Sequence, residues 1–305
     1  MMQLKKRTRN LIFYIVLVTL PFCHFLVFWV AVKFNAILLA FQSFDSGVPS
    51  WAGGTTSWVG FANFKQVFYN IGHVENWKIS IKNSLLLFFW NNLLNVPPTL
   101  LVAYFVHKKA RLGKAFKIVE YAPSMFATIV KVLIYQYFLE EALPYIIQEF
   151  TGEVTEGFIS SIKTRQPAIW LYGMWIGMGG SLILYVNQMN SISSSIIEAA
   201  EIDGVTFWQE FWKITMPMCW SLFALQFIIS FTGIFGNQFF LLDFYGMDAD
   251  SELHTVGYYM YTEMLLRGES GYPLLSAMGL VITAVMLPVI LWMRWWSGKV
   301  DPMKN

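Results

Sequence analysis

A polar segment between two long apolar stretches carries the side chains best suited to contact another protein. Its carboxylates, Glu198 and Asp203, can pair with basic residues, and its second half holds four aromatic side chains. The aromatic residues are Phe207, Trp208, Phe211 and Trp212. A large aromatic cluster on a loop is costly in water unless another surface covers it. The segment therefore predicts binding rather than bond-breaking chemistry, with a partner protein, the chain's own helices or the lipid interface as the cover.

The same segment has the local signals of two short helices joined by a sharp turn. Two capping boxes mark the helix starts: Ser195 with Glu198, and Thr206 with Gln209. Gly204 lies between them and can adopt the left-handed conformation that ends a helix. Pro217 suits the first turn of the apolar helix that follows. We therefore predict a helix, a turn and a second helix over about residues 190–216, which we call the polar loop.

The elements that must hold the polar loop are apolar enough to cross a membrane. The chain of 305 residues is 56% hydrophobic and 13% charged, with a mean hydropathy of +0.50, whereas a soluble domain carries about 25% charged residues. A bilayer core needs roughly 20 apolar residues per helix. Six stretches qualify: about 11–32, 84–106, 118–138, 169–189, 217–241 and 273–293. The predicted fold is an all-α polytopic membrane protein with six transmembrane helices and the polar loop between helices four and five.

Basic residues predict which side of the membrane each loop faces. They cluster before the first stretch, between the second and third, and after the sixth, whereas the longer loops on the opposite side are acidic. Residues 1–10 and 295–305 are therefore expected to be cytoplasmic tails of a transmembrane domain spanning 11–294. The polar loop is then cytoplasmic as well. The net charge of +2 gives no indication of nucleic acid binding.

Polar and small residues inside the predicted helices mark where a solute could pass, because polar groups are costly in lipid. Amide, hydroxyl and aromatic side chains there suit an uncharged solute rich in hydroxyl groups; they are Tyr185, Ser230, Asn237, Gln238, Trp175 and Phe235. Packing between helices through small and polar residues accounts for the same pattern. In the second stretch, Asn91, Asn92 and Asn95 precede Pro97 and Pro98, which predicts a kinked or broken helix.

The sequence contains no arrangement of residues typical of catalysis, metal binding or nucleotide binding. It has no HExxH, CxxC or GxxxxGK[ST] motif, and its four histidines are isolated. Cys23 and Cys219 lie in or beside apolar stretches and are interpreted as small apolar fillers. We therefore predict that the chain is not an enzyme and that any energy for transport comes from another polypeptide.

The polar loop resembles the signature loop of the permease subunits of ABC importers. Glu198-Ala199-Ala200 is followed after three residues by Gly204, and after nine more by Ile214-Thr215-Met216-Pro217, with Met216 where leucine is usual. The segments Trp58–Phe64, Asn83–Tyr104 and Tyr121–Val130 are similar to the carbohydrate and oligosaccharide branch of type I importers, the maltose-type permeases. These matches are spread over nearly the whole chain.

The resemblance implies a bacterial cell-membrane subunit that translocates a sugar or oligosaccharide by alternating access. It implies a second homologous permease in a heterodimer, two copies of an ATPase that binds ATP and Mg²⁺, and an extracytoplasmic sugar-binding protein. The residues expected to couple to the ATPase are Glu198, Ala199, Ala200, Asp203, Gly204, Phe207, Trp208, Phe211, Ile214 and Pro217. The residues expected to line the substrate pathway are Ile176, Gly177, Gly180, Tyr185, Ser230, Ile234, Asn237 and Gln238.

A second interpretation is an ion-coupled secondary transporter of a small polar solute. Such proteins commonly carry carboxylates inside the membrane and internal repeats. The predicted helices contain almost no acids, and no repeat is evident. A membrane enzyme or scaffold would require clustered acids or histidines at one membrane face, and the sequence offers none.

Overall fold

The computed structural model describes residues 6–44, 55–110 and 113–302, and these are almost entirely helical. Parts of the predicted tails, residues 1–5 and 303–305, lie outside this description. The chain forms two compact units. The first comprises residues 1–73 and 263–284, and the second comprises residues 74–262 and 285–305.

The first unit begins with a long apolar helical run, and in its most apolar 18-residue window none of the described residues is buried. The run consists of α1 (Lys6–Phe25), a π-turn (Leu26–Ala31) and α2 (Val32–Leu39). Strands β1 (Gln42–Phe44) and β2 (Thr56–Trp58) pair antiparallel, and α3 (Ala62–His73) follows them. The Asn63 side chain donates to the carbonyls of Ala40 and Gln42 and so ties α3 to the hairpin. The apolar run is exposed along Asn10–Leu39, as expected of a helix that faces lipid.

The second unit is built from a series of helices linked by short turns. In chain order they are α4 (Glu75–Trp90), α5 (Val96–His107), α6 (Gly113–Tyr121), α7 (Thr128–Tyr137), α8 (Leu143–Thr151), α9 (Arg165–Asn190), α10 (Ser194–Ile202), α11 (Phe207–Glu210), α12 (Met216–Met218), α13 (Trp220–Thr232) and α14 (Leu241–Tyr245). The last two helices, α15 (Val256–Arg267) and α16 (Tyr272–Lys299), each contribute residues to both units.

Four helical runs in the described part of the chain are long and apolar enough to cross a membrane. They are Asn10–Leu39, Glu75–His107, Arg165–Asn190 and Val256–Lys299. A fifth exists if the bent pair Phe207–Met218 and Trp220–Thr232 counts as one span. The first four runs contain the predicted stretches 11–32, 84–106, 169–189 and 273–293.

The predicted third stretch, 118–138, is not one helix. It is divided into the end of α6, a 3-10 turn at Ala122–Met125, and α7. Pro123 lies in the turn, and proline cannot donate the backbone hydrogen bond that would extend α6. The backbone of Phe126 is extended after this turn, and α7 begins at Thr128. The single continuous helix predicted there is therefore wrong.

The predicted fifth stretch, 217–241, is also shorter as a helix than expected. α13 meets the preceding helical run at an angle of 68° at Cys219, so Pro217 ends the earlier run instead of starting the span. α13 stops at Thr232, and the chain then turns through Gly233 and Gly236. Glycine has low helix propensity, which favours this early end.

Three of the helical runs widen into a π-turn that ends two residues before a proline. The pairs are Asn91–Asn95 with Pro97, Phe138–Ala142 with Pro144, and Phe211–Thr215 with Pro217. In each case the residue before the proline donates its N–H five residues back, as Val96 does to the Asn91 carbonyl. A proline leaves the carbonyl four residues earlier without a donor and crowds it, and the wider turn relieves that clash. The second run is therefore continuous. Of the kinked or broken helix predicted there, the break is wrong and the kink stays a prediction.

Two hydrophobic clusters form the core of the second unit. Tyr172 and Ile169 of α9 are at the centre of one, together with Val132 of α7. The other joins Tyr104 of α5 to Leu182, Tyr185, Met189 and Phe211. α9 takes part in both clusters, so it is the central packing element of this unit.

Leu182 and Leu184 test this packing because they lie two residues apart on α9 in opposite environments. Leu182 is fully buried and Leu184 is 47% exposed. We expect Leu182→Ala to lower the free energy of unfolding by about 2–5 kcal/mol, the usual cost of a core cavity. Leu184→Ala should change it little. Denaturant unfolding of the purified protein in detergent measures both, and equal losses would contradict the assignment of α9 as the core helix.

Candidate functional site

The first helix of the polar loop begins two residues earlier than its sequence suggested. The backbone of Ser193 is extended and precedes α10, whereas Ser195 lies inside the helix. The Ser195 hydroxyl contacts the Ser193 hydroxyl at 2.7 Å and caps no backbone N–H. The capping box predicted from Ser195 and Glu198 is therefore wrong, although the helix itself exists.

The turn and the second helix of the loop form as predicted. Gly204 has φ +72°, the left-handed conformation that glycine adopts without strain. The Thr206 backbone N–H donates to the Gln209 side chain at 3.0 Å, and the reciprocal bond completes the capping box. α11 starts there and continues through the π-turn to α12. The loop is thus a helix, a sharp turn and a helix.

Two of the four aromatic side chains hold the loop against α5. The rings of Phe207 and Phe211 lie 4.7 and 4.9 Å from the Tyr104 ring, measured between centroids. The Tyr104 hydroxyl also donates to the Phe207 carbonyl at 3.2 Å. Phe211 is only 2% exposed. From the sequence, these two residues were expected to belong to the surface that couples to the ATPase. In the structure they lie on the face of the loop that packs against α5, where they stabilise the loop.

Ion pairs also hold the face of the loop that packs against α5. The Lys108 ammonium at the end of α5 lies 2.9 Å from Glu210 Oε2 and 3.4 Å from Glu201 Oε1. The Glu210 side chain is 4% exposed and that of Glu201 is 63% exposed. Burial alone lowers the pKa of Lys108, but the two carboxylates outweigh it and raise the pKa above its ordinary value. The ammonium therefore stays charged at neutral pH and joins both helices of the loop to α5.

The opposite face of the loop is exposed and includes apolar side chains. Ile202 is 86% exposed and Trp208 is 52% exposed. The other predicted coupling residues on this face are Glu198, Ala199, Asp203 and Gly204, whereas Ala200 is buried and Ile214 and Pro217 are half-buried. Ile202 and Trp208 thus leave apolar surface exposed on this face of the loop.

A cavity of about 1320 Å³ lies within the second unit, between α4, α5, α9, α13 and the end of α16. Five predicted pathway residues line it: Gly177, Tyr185, Ser230, Ile234 and Asn237. Ile176, Gly180 and Gln238 do not. Ile176 packs against the cluster around Tyr172 instead. The cavity therefore brings together residues of the predicted fourth and fifth helices, as expected of a pathway.

Glycines of α9 let the neighbouring elements approach closely. A side chain at Gly177 would lie 2.9 Å from the Asn95 amide, and one at Gly173 would overlap the Phe239 ring. A side chain at Gly180 would meet open space, so this glycine is not needed for packing. Gly173 and Gly177 thus shape the cavity wall by allowing the close approach of other elements.

Sequence reasoning missed two asparagines of this cavity. Asn91 and Asn92 line it from the π-turn, and the Asn92 amide donates to Ser230 Oγ at 3.0 Å. The Asn95 amide donates to Asn91 Oδ1 at 2.9 Å. The asparagine cluster was interpreted as a mark of a kinked or broken helix. The signal that could have placed these asparagines in the cavity is the π-turn before Pro97. A π-turn rotates the side chains relative to their directions in a regular α-helix.

At the N-terminal end of α9, one arginine forms ion pairs with the acidic loop that precedes α15. Arg165, 8% exposed, pairs with Asp250 and lies 3.1 Å from Glu252. The Asn83 amide donates to the carbonyls of Glu252 and His254 at 2.7 and 3.0 Å. This loop is consequently fixed to both α4 and α9.

Comparison with known proteins assigns the class. Residues 84–303 match the family described as the binding-protein-dependent transport system inner membrane component. The match covers more than half of the chain, so the chain belongs to this family of membrane-spanning permease components. It is thus a transport component and not an enzyme, and the predicted membership in the permease family is confirmed.

Individual relatives transport sugars. The arabinooligosaccharides transport system permease protein AraP of Bacillus subtilis (strain 168) is 26% identical over 282 residues, which are 90% of this chain and 85% of that protein. A bacterial ABC transporter involved in the import of the acidic polysaccharide alginate contains a chain with a TM-score of 0.79 and 21% identity, over 96% of this chain and 97% of that one. The alginate transporter in complex with an alginate pentasaccharide-bound periplasmic protein gives a TM-score of 0.75 and 21% identity, over 97% and 96%. These structures share the fold.

The two carboxylates on Lys108 provide a matched test of what holds the loop. We expect Glu210→Ala to lower the opening free energy of α10 and α11 by about 1.5–3 kcal/mol, the value of a buried hydrogen bond to a charged group. Glu201→Ala removes the exposed partner and should cost less than about 1 kcal/mol. Hydrogen exchange of the loop amides measures both. Equal protection losses in the two variants would contradict the role given to the buried pair.

Proposed function

We propose that this chain is a permease subunit of an ATP-driven importer and that its polar loop receives the force of a separate ATPase. One observation carries the proposal. The loop is fixed to α5 on one face by Phe211 and the Lys108–Glu210 pair, while Ile202 and Trp208 are exposed on the other. One face of this loop is held rigidly against α5, and the other face is apolar and exposed. Such a loop can transmit the movement of a bound protein to the helices against which it packs.

The path of that push runs from the loop to the cavity. α11 and α12 form one helical run that ends at the 68° bend, and α13 beyond the bend carries cavity residues such as Ser230. Closure of an ATPase dimer would move the loop and tilt α13, which opens the cavity to one side of the membrane and then to the other. This is alternating access by movement of packed helices. ATP and Mg²⁺ would bind the ATPase and not this chain.

The proposed cargo is a sugar or oligosaccharide. The cavity offers amides and hydroxyls beside aromatic side chains, as in Asn237, Ser230 and Trp220. Transport of arabinooligosaccharides by one relative is consistent with this chemistry. A second homologous permease would complete the pathway, as the family resemblance implies.

The proposed arrangement has six membrane crossings with both termini in the cytoplasm. The broken segment α6–α7 and the bent segment ending in α13 would add two crossings to the four long runs. Arg165 and its acidic partners would then lie on the outer face. A firmly held outer loop suits the docking of a sugar-binding protein, and the alginate transporter of similar fold was solved with a periplasmic protein.

Two exposed isoleucines test the docking of the ATPase. Ile202 at the loop tip is 86% exposed, and Ile162 in the loop before α9 is 71% exposed. We expect Ile202→Asp to reduce sugar-stimulated ATP hydrolysis by the purified complex at least tenfold, because a buried unpaired carboxylate disfavours an apolar interface. Ile162→Asp should leave hydrolysis unchanged. Full activity of Ile202→Asp, with the ATPase still bound, would contradict the proposal.

A further inference from the structure

The cavity of the second unit has an uncharged lining. Among the described residues that line it, none is acidic or basic. Its polar side chains are amides and hydroxyls, including Asn91, Tyr185, Gln226 and Ser230. These four residues lie in three different elements: the π-turn, α9 and α13. The absence of charge is therefore a property of the whole described wall and not of a single helix.

Two of these polar groups remain available to a bound molecule. Tyr185 is 2% exposed, its ring packs against Phe223, and its hydroxyl makes no hydrogen bond to the described residues. Gln226 is half-buried, and its amide likewise makes none within the described part of the chain. Polar groups at a cavity wall are stabilised when a partner is supplied, and a sugar hydroxyl can both donate and accept.

Aromatic faces complete the lining. Trp212, Trp220, Trp292 and Trp296 all line the cavity. The Trp220 indole N–H donates to the Ser297 carbonyl at 3.2 Å, which fixes the orientation of that ring. Flat apolar rings match the C–H faces of sugar rings, which are the least polar surfaces of a saccharide.

We infer that the cavity conveys an uncharged oligosaccharide and excludes sugars that carry carboxylates. An anion in this lining would lose its hydration without gaining an ion pair, and such desolvation is strongly unfavourable. Sites built for carboxylates use arginine, whose planar guanidinium forms two hydrogen bonds at once. The inference rests on the proposed function and specifies the cargo of the same cavity.

The test uses the purified complex in nanodiscs, without its sugar-binding protein, and two probes of equal length. Maltotriose is neutral, and trigalacturonate carries three carboxylates. Titration at millimolar concentrations is followed by tryptophan fluorescence, with equilibrium dialysis of labelled probe as a second measure. We expect maltotriose to bind at least tenfold more tightly than trigalacturonate, with an affinity that does not change with salt.

Hydroxyl deletion locates the binding in the cavity. Tyr185→Phe removes one oxygen atom and keeps the packed ring, and should weaken maltotriose binding about fivefold to tenfold, the value of one neutral hydrogen bond. Tyr137→Phe removes the hydroxyl of a tyrosine on α7 that is 69% exposed and does not line the cavity, and it should bind as the unmodified protein does.

The outcomes separate the two proposals. Tighter binding of trigalacturonate, or binding of neither probe, overturns the inference of a neutral cargo. Sugar-independent ATP hydrolysis and retention of the ATPase are measured on the same preparations. If both persist, the importer remains supported while the neutral-cargo inference fails; if the ATPase is absent, the proposed function itself fails.

Discussion

Lipid hydrocarbon provides no hydrogen-bond partners, and this constraint explains most features of the second unit. Each backbone carbonyl that a proline leaves without a donor must be accommodated inside the helix. The π-turn before Pro97, inside the second apolar run, does so without breaking the run. Polar side chains follow the same rule, since the Asn92 amide donates to the Phe88 carbonyl and to Ser230. A wall that satisfies its own groups leaves few free to bind a cargo.

The polar loop combines two opposite requirements. A docking surface must be exposed, but a lever must be rigid. The chain divides these tasks between the faces of one helix pair: Phe211 and Glu210 are buried against α5, while Ile202 and Trp208 remain exposed. The buried carboxylate is stabilised only because Lys108 reaches it. Under the proposed function, the loop and α5 would move together, and the 68° bend would connect that movement to the cavity wall.

Sequence reasoning identified the family, the apolar runs and the two short helices of the polar loop with the turn between them, because each depends on local chemistry. Gly204 and the Thr206–Gln209 capping box are such local signals, and both formed as predicted. The broken segment at Pro123 and the bend at Cys219 were missed. Hydropathy indicates whether a segment prefers lipid or water, and it does not indicate whether the helix is continuous. The roles of Phe211, Lys108 and Asn91 depend on residues far away in sequence, and no local pattern reveals which face of the loop meets α5.

The most direct test of the account is the composition of the complex that purifies with this chain in mild detergent, determined by native mass spectrometry. The account predicts a second permease and two copies of an ATPase bound to this chain. A chain that purifies alone and stable, with no ATPase even after crosslinking, would contradict the coupling role of the polar loop. Transport that persists without ATP and collapses with the ion gradient would then favour a secondary transporter.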